Sequence, residues 1–191
     1  MLIAVCGFSG AGKTTALEHI RDSGFGRIRY AGAIVREDVV ARGLQLTPET
    51  EKQVRNDLRQ THGNDVLARR TVLALADEPQ VDHVLLDAIC HPDEEACYRR
   101  AWGAGVITLG LFAAFEVRAA RLATRADRPC TPVQLQARDD YEREELRLDE
   151  VMARVDHAIV NEKKVDALRR ELDALMARWR AAGNEAPPWE P

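Results

Sequence analysis

The chain has 191 residues, 46% hydrophobic and 30% charged, which suits one globular domain with a substantial core. Its net charge of -4 excludes a global basic field for nucleic acid, so any polyanion contact must be local, and nucleic acid is not an expected partner. No run approaches the roughly 20 apolar residues of a membrane helix, Met1 to Phe8 lacks the marks of a signal peptide, and the four cysteines show no Cys-x-x-Cys or Cys/His spacing; a cytoplasmic protein with reduced thiols and no zinc is expected.

In chain order, Leu2 to Cys6 reads as a short apolar strand and GFSGAGKT, Gly7 to Thr14, fits G-x-x-x-x-G-K-[ST] at every defined position. The helix that follows runs from Lys13 to about Asp22. Strand, glycine-rich loop and helix in this order make a phosphate-binding loop: the backbone of Gly7, Ser9, Gly10, Ala11, Gly12 and Lys13 to Thr15 curls around a triphosphate at a helix N-terminus. Lys13 would reach the β and γ phosphates, and Thr14 would hold Mg²⁺ through its hydroxyl.

Gly24 and Gly26 stop the first helix before a short strand, Arg27 to Tyr30. Ala31 to Gly43 reads as helix, Thr47 and Pro48 supply N-cap and N1 for a helix to about Thr61, and His62 to Asp65 breaks it before another ending near Ala76. His83 to Asp87 is an apolar strand ending in a carboxylate; a helix from Pro92 to about Trp102 and a strand from Val106 to Phe112 follow. Helices over Ala114 to Arg125 and Val133 to Leu148 flank the turn-rich basic segment Ala126 to Pro132, which suggests a lid. After further helix, His157 to Val160 is a last strand, and Val165, Leu168, Leu172, Leu175 and Trp179 form a core-packing stripe on a helix ended by Gly183. Alternating strands and helices imply an α/β, three-layer architecture with a five-stranded parallel sheet and ligands at the carboxyl ends of the strands.

That edge gathers the chemistry. Asp87 ends its strand where a carboxylate orients Mg²⁺ or its water shell. Arg36, directly after the second strand, and Arg55 and Arg59, one turn apart, are candidates to grip an acceptor phosphate. Arg118, Arg121 and Arg125 share a helix face, with Arg128 in the break and Arg138 beyond it; a lid of guanidiniums neutralises charge on a transferred phosphoryl group, although Glu142, Glu144 and Glu145 also allow an exposed salt-bridged helix. His62 and His91 sit at turns that could line the cleft, and Cys90 lies close by without a nucleophilic role.

GFSGAGKT, GAIVRE, LTPE, HGNDVLARRT, LLDAI, RLATR, LQARDD and DHAIVNE, in this order, resemble the P-loop nucleoside monophosphate kinase-type family, near the adenylate kinase and dephospho-CoA kinase groups and most similar to small dephospho-CoA kinase-related kinases. The resemblance spans roughly Met1 to Met176. It implies a three-layer P-loop NTPase fold as one kinase domain over 1–182, with a helical acceptor-binding region near 31–76, an arginine-bearing lid near 118–148 and a flexible tail over 183–191. It further implies that Arg36 binds the acceptor phosphate, Arg121 flanks adenine, Arg125 and Arg138 contact phosphates, and Asn161 lies in the adenine-side loop. Related sequences often carry an acid where Ala33 stands and an arginine where Cys90 stands.

The expected reaction is transfer of the ATP γ-phosphate, with Mg²⁺, to a small-molecule acceptor: a nucleoside or deoxynucleoside monophosphate. A hydroxyl acceptor benefits from a carboxylate base, and Ala31-Gly32-Ala33 offers none, although Asp87 or Glu37 could serve. The alternatives are a hydroxyl kinase acting on dephospho-CoA, a nucleoside or a modified base in DNA, and a non-catalytic nucleotide switch, against which NEKK in place of N-K-x-D argues. Monomer and homodimer both stay open.

Overall fold

Apolar runs too short for helices, LIAVC and VLLD among them, become inner strands of one all-parallel sheet. The computed structural model describes residues 1–78, 83–126 and 129–183. Its strands are β1 (Leu2–Cys6), β2 (Arg27–Tyr30), β3 (Val84–Asp87), β4 (Val106–Phe112) and β5 (His157–Val160), ordered β2-β3-β1-β4-β5 across the sheet, and every residue of β1 is buried. The helices are α1 (Lys13–Asp22), α2 (Ala33–Ala41), α3 (Pro48–His62), α4 (Val66–Ala76), α5 (Pro92–Trp102), α6 (Phe115–Ala123), α7 (Pro132–Glu144), α8 (Leu148–Met152) and α9 (Val165–Gly183).

The sheet carries a core on each face. On one, Leu17 and Ile20 of α1 and Leu168, Leu172, Leu175 and Trp179 of α9 pack on Ile3, Val5, Leu109 and Leu111; on the other, Ala68, Tyr98, Val151 and Met152 of α4, α5 and α8 pack on Leu2, Ala4 and Leu86. A third cluster, with Val35, Val39, Val54, Leu58 and Leu67, joins α2, α3 and α4 beside the sheet. Thr47 and Thr50 form a reciprocal capping box at the start of α3, and Thr131 and Gln134 form another at α7, each contributing about 1 kcal/mol to its helix.

Three expectations are corrected. The helix expected through Leu148 ends at Glu144, and Arg147 turns left-handed at φ 54° before α8. Leu146 and Leu148 are both buried; two residues apart on a continuous helix they would face opposite ways, and the break lets both point inward. Val165 is 43% exposed at the first position of α9, outside the stripe formed by its four apolar successors. The helix expected from Ala31 begins at Ala33, because Ala31 extends the edge of the sheet by donating its N–H to Asp87 O at 2.8 Å. Residues 184–191, most of the expected tail, and Arg128 lie outside the described residues. Among the described residues no helix is long and apolar enough to cross a membrane.

Candidate functional site

β1 lies between β3 and β4, so successive crossovers leave its carboxyl end in opposite directions and open a crevice there. The glycine-rich loop fills that position. Gly7 adopts φ 145°, where a Cβ would stand 2.5 Å from Leu111 O, so close approach to β4 demands glycine. Three side chains hold the carbonyls of successive loop residues: Arg118 Nη1 donates to Ser9 O (3.1 Å), Arg121 Nη1 to Gly10 O (3.4 Å) and Asn161 Nδ2 to Ala11 O (2.9 Å). In a trans peptide the C=O and the next N–H point opposite ways, so this outward pinning aims the N–H groups of Gly10 and Gly12 away from those side chains. An inward-facing donor set of that kind suits a polyanion.

Lys13 Nζ donates to Gly7 O at 2.5 Å and Phe8 O at 3.3 Å, while Thr14 and Thr15 are exposed on the first turn of α1. Asp87 pairs in register with Val5, two residues before Gly7, which sets its carboxylate beside the loop. Burial raises its pKa, and the Lys13 charge opposes that rise. Thr14 and Asp87 offer one hydroxyl and one carboxylate, a donor set that fits Mg²⁺ where phosphate and water supply the other ligands.

A cleft of about 600 Å³ opens from Gly7, Lys13 and Asp87. One wall is α3, with Glu51, Lys52, Arg55 and Arg59; the other is α7, with Gln134, Arg138, Tyr141 and Glu142; Ala88, Cys90 and Glu94 lie between. Arg59 Nη2 donates to Glu94 Oε1 at 2.8 Å, and Glu94 Oε2 accepts the Cys90 N–H at 2.9 Å. Arg138 Nε donates to Glu142 Oε1 at 2.9 Å. The walls meet where Tyr141 Oη donates to Asn56 Oδ1 at 2.6 Å and the Lys52 ammonium lies 4.9 Å from the Tyr141 ring centroid. Burial pushes the Cys90 thiol up to about 11, with Glu94 and Glu142 adding to it, so this sulfur stays protonated.

The structure thus brings Lys13, Asp87, Arg55, Arg59 and Arg138 to one cleft. Arg36 is not among its lining residues: its guanidinium pairs with Glu51 at 3.3 Å and stands 5.6 Å from the Tyr30 ring centroid. Arg125 is exposed past the end of α6 and is also not among the lining residues. Arg118, Arg121 and Arg125 do not act alike, for Arg118 is buried between the Phe8 and Phe115 rings and grips Asp139 bidentately at 2.9 and 2.6 Å. His91 is buried as the N-cap of α5, its Nδ1 accepting from Asp93 N, and neither it nor His62 lines the cleft. Lys52, Tyr141, Glu94 and the pairing of Arg118 with Asp139 were not expected from the sequence, and Glu142, expected on an exposed salt-bridged helix, is buried at the cleft. Lys52 alone left a signal, one turn before Arg55 on the same face.

A loop of this geometry after the first strand of a five-stranded parallel sheet defines a P-loop kinase fold. The chain belongs to the AAA domain family, whose model matches residues 3–145, and to the UPF0200 proteins. It is 31% identical over 185 residues to the UPF0200 protein of Hyperthermus butylicus, covering 96% of this chain and 97% of that one. With the UPF0200 protein of Aeropyrum pernix it shares 30% over 171 residues, covering 90% and 89%. Among solved structures, shikimate kinase from Bacteroides thetaiotaomicron superposes with a TM-score of 0.60 at 13% identity over 93% of this chain and 98% of that one. A gluconokinase from Sinorhizobium meliloti 1021 gives 0.57 at 18% identity over 96% and 97%. These likenesses show the fold.

Proposed function

We propose that the protein is a cytoplasmic ATP-dependent kinase that transfers the γ-phosphate to a nucleoside or deoxynucleoside monophosphate. The observation that carries this reading is the meeting of the glycine-rich loop, Lys13 and Asp87 with a cleft whose walls present Lys52, Arg55, Arg59 and Arg138. In it, the loop from Gly7 to Thr15 cradles the donor phosphates, Lys13 leaves its carbonyl partners for the β and γ oxygens, and Arg138 neutralises charge on the transferred group. Thr14 and Asp87 hold Mg²⁺, which when bound offsets charge on the phosphates. Arg121 and Asn161 act on the donor side by fixing the loop's carbonyls. Arg55 and Arg59 face the acceptor. Arg36 acts more remotely, by holding Glu51 and Tyr30 at the cleft's edge.

A hydroxyl acceptor is the second reading, favoured by one observation: Asp87 combines a raised pKa with a place beside Lys13, which suits a general base. Two structural neighbours are named shikimate kinase and gluconokinase, which agrees with that alternative. Coupled ADP release separates the two. Turnover is expected with at least one nucleoside monophosphate and should vanish in Lys13→Ala; turnover with hydroxyl substrates and no monophosphate would overturn the first reading.

A further inference from the structure

Two side chains on facing walls of the cleft are each half satisfied. Arg59, with its side chain 7% exposed, gives Nη2 to Glu94, while its Nε and Nη1 meet no acceptor among the described residues. Glu94 is complete, taking Arg59 on one oxygen and the Cys90 N–H on the other. Across the cleft Glu142, with its side chain 11% exposed, takes Arg138 on Oε1, and its Oε2 meets no donor among the described residues. Cys90 lies between and feels the charge of both. A buried ionised group with open hydrogen-bonding capacity is costly until a partner completes it. Arg59 and Glu142 both line the cleft, and their unpartnered atoms are buried just behind its surface, so a ligand toward which the two side chains turn completes both.

We infer that the cleft recognises one molecule bearing both an anionic oxygen group and an N–H or O–H donor, with Arg59 donating to the anion through Nε and Nη1 and Glu142 accepting the donor at Oε2. This rests on the reading that the cleft holds the phosphoryl acceptor, and it gives that acceptor a class: a phosphomonoester with a free amino or hydroxyl group, not a neutral polyol. It also makes Glu142 a specificity-determining residue, a role outside every motif in the chain. Glu94 holds the Arg59 guanidinium by one hydrogen bond and Arg138 holds the Glu142 carboxylate by another, which leaves each free to turn toward the ligand.

Calorimetric titration with AMP, CMP, GMP, UMP and their nucleosides tests this, with the loop filled by a non-hydrolysable ATP analogue and Mg²⁺. The best-bound monophosphate should exceed its nucleoside by at least about tenfold in affinity. Arg59→Lys keeps a cation for Glu94 but loses the fork, so the gap should shrink to below about threefold. Glu142→Gln should weaken monophosphate and nucleoside alike by about tenfold. Affinity for the ATP analogue should hold in both variants, which also checks that they fold. A gap unchanged in Arg59→Lys, no loss in Glu142→Gln, or an equal loss of ATP-analogue binding would overturn the inference. If no monophosphate is phosphorylated but one still needs Arg59 to bind, the proposed reaction fails and this site stands. If instead a monophosphate is turned over with the same KM by the wild type and both variants, the reaction stands and this site fails.

Discussion

Asp87 is held in a state that costs the fold something. Burial raises its pKa, so the folded protein binds the proton more readily than the unfolded chain, and stability falls as pH rises through that raised value. Asp87→Asn should therefore raise Tm at neutral pH while lowering transfer by at least about a hundredfold, because the carboxylate proposed to orient Mg²⁺ is gone. In the wild type the acid limb of kcat/KM should sit above the ordinary carboxylate range near 4, and a limb at or below it would remove Asp87 from the chemistry. Gly12 is the other sensitive position: at φ 102° its missing Cβ leaves room for Asn161 Nδ2, which holds Ala11 O. Gly12→Ala should strain the backbone and push Asn161 aside, with ATP-analogue affinity falling about tenfold or more by calorimetry. GFSGAGKT was legible because its residue types are set by backbone geometry, and Asp87 because a carboxylate ends an apolar run. Arg36 was placed only in part: adjacency in sequence suggested the cleft, and its guanidinium engages Glu51 and Tyr30, which line it.

At the scale of elements, helix starts were readable wherever a cap and a proline coincide, as at Thr47 and Pro48. The break at Glu145 to Arg147 was not, since it answers to the burial of Leu146 and Leu148 and to no local breaker. Nor was the link between α6 and α7, made by Arg118 and Asp139, 21 positions apart with no periodicity to join them. That link changes what a lid means here, for the middle of α7 is tied to the phosphate loop through Arg118 and Ser9 O. Arg118→Lys keeps the charge and loses the bidentate grip, so about 1–3 kcal/mol of stability should go. Hydrogen exchange should quicken across 132–144 while α9 is unchanged. Tyr141→Phe removes one hydrogen bond, worth about 1 kcal/mol, from the clasp to Asn56, and a KM rise of a few-fold for the acceptor with little change for ATP is expected.

At the scale of the whole molecule, sheet class and strand number followed from the alternation of apolar runs and helical periods. The order β2-β3-β1-β4-β5 did not, because periodicity along a chain says nothing about which strands become neighbours. That order opens one crevice beside the glycine-rich loop, and α7, one of its walls, is tied both to the loop and to α3. Asp139 and Tyr141 are two positions apart, about 200° around the helix, so one helix answers to the loop on one face and to α3 on the other. On the proposed reading, in which ATP and a monophosphate share this cleft, a helix held this way couples the two ligands thermodynamically. Whatever factor ATP analogue adds to the affinity for a monophosphate, the monophosphate must return to the analogue, and loosening either tie should bring that shared factor toward one.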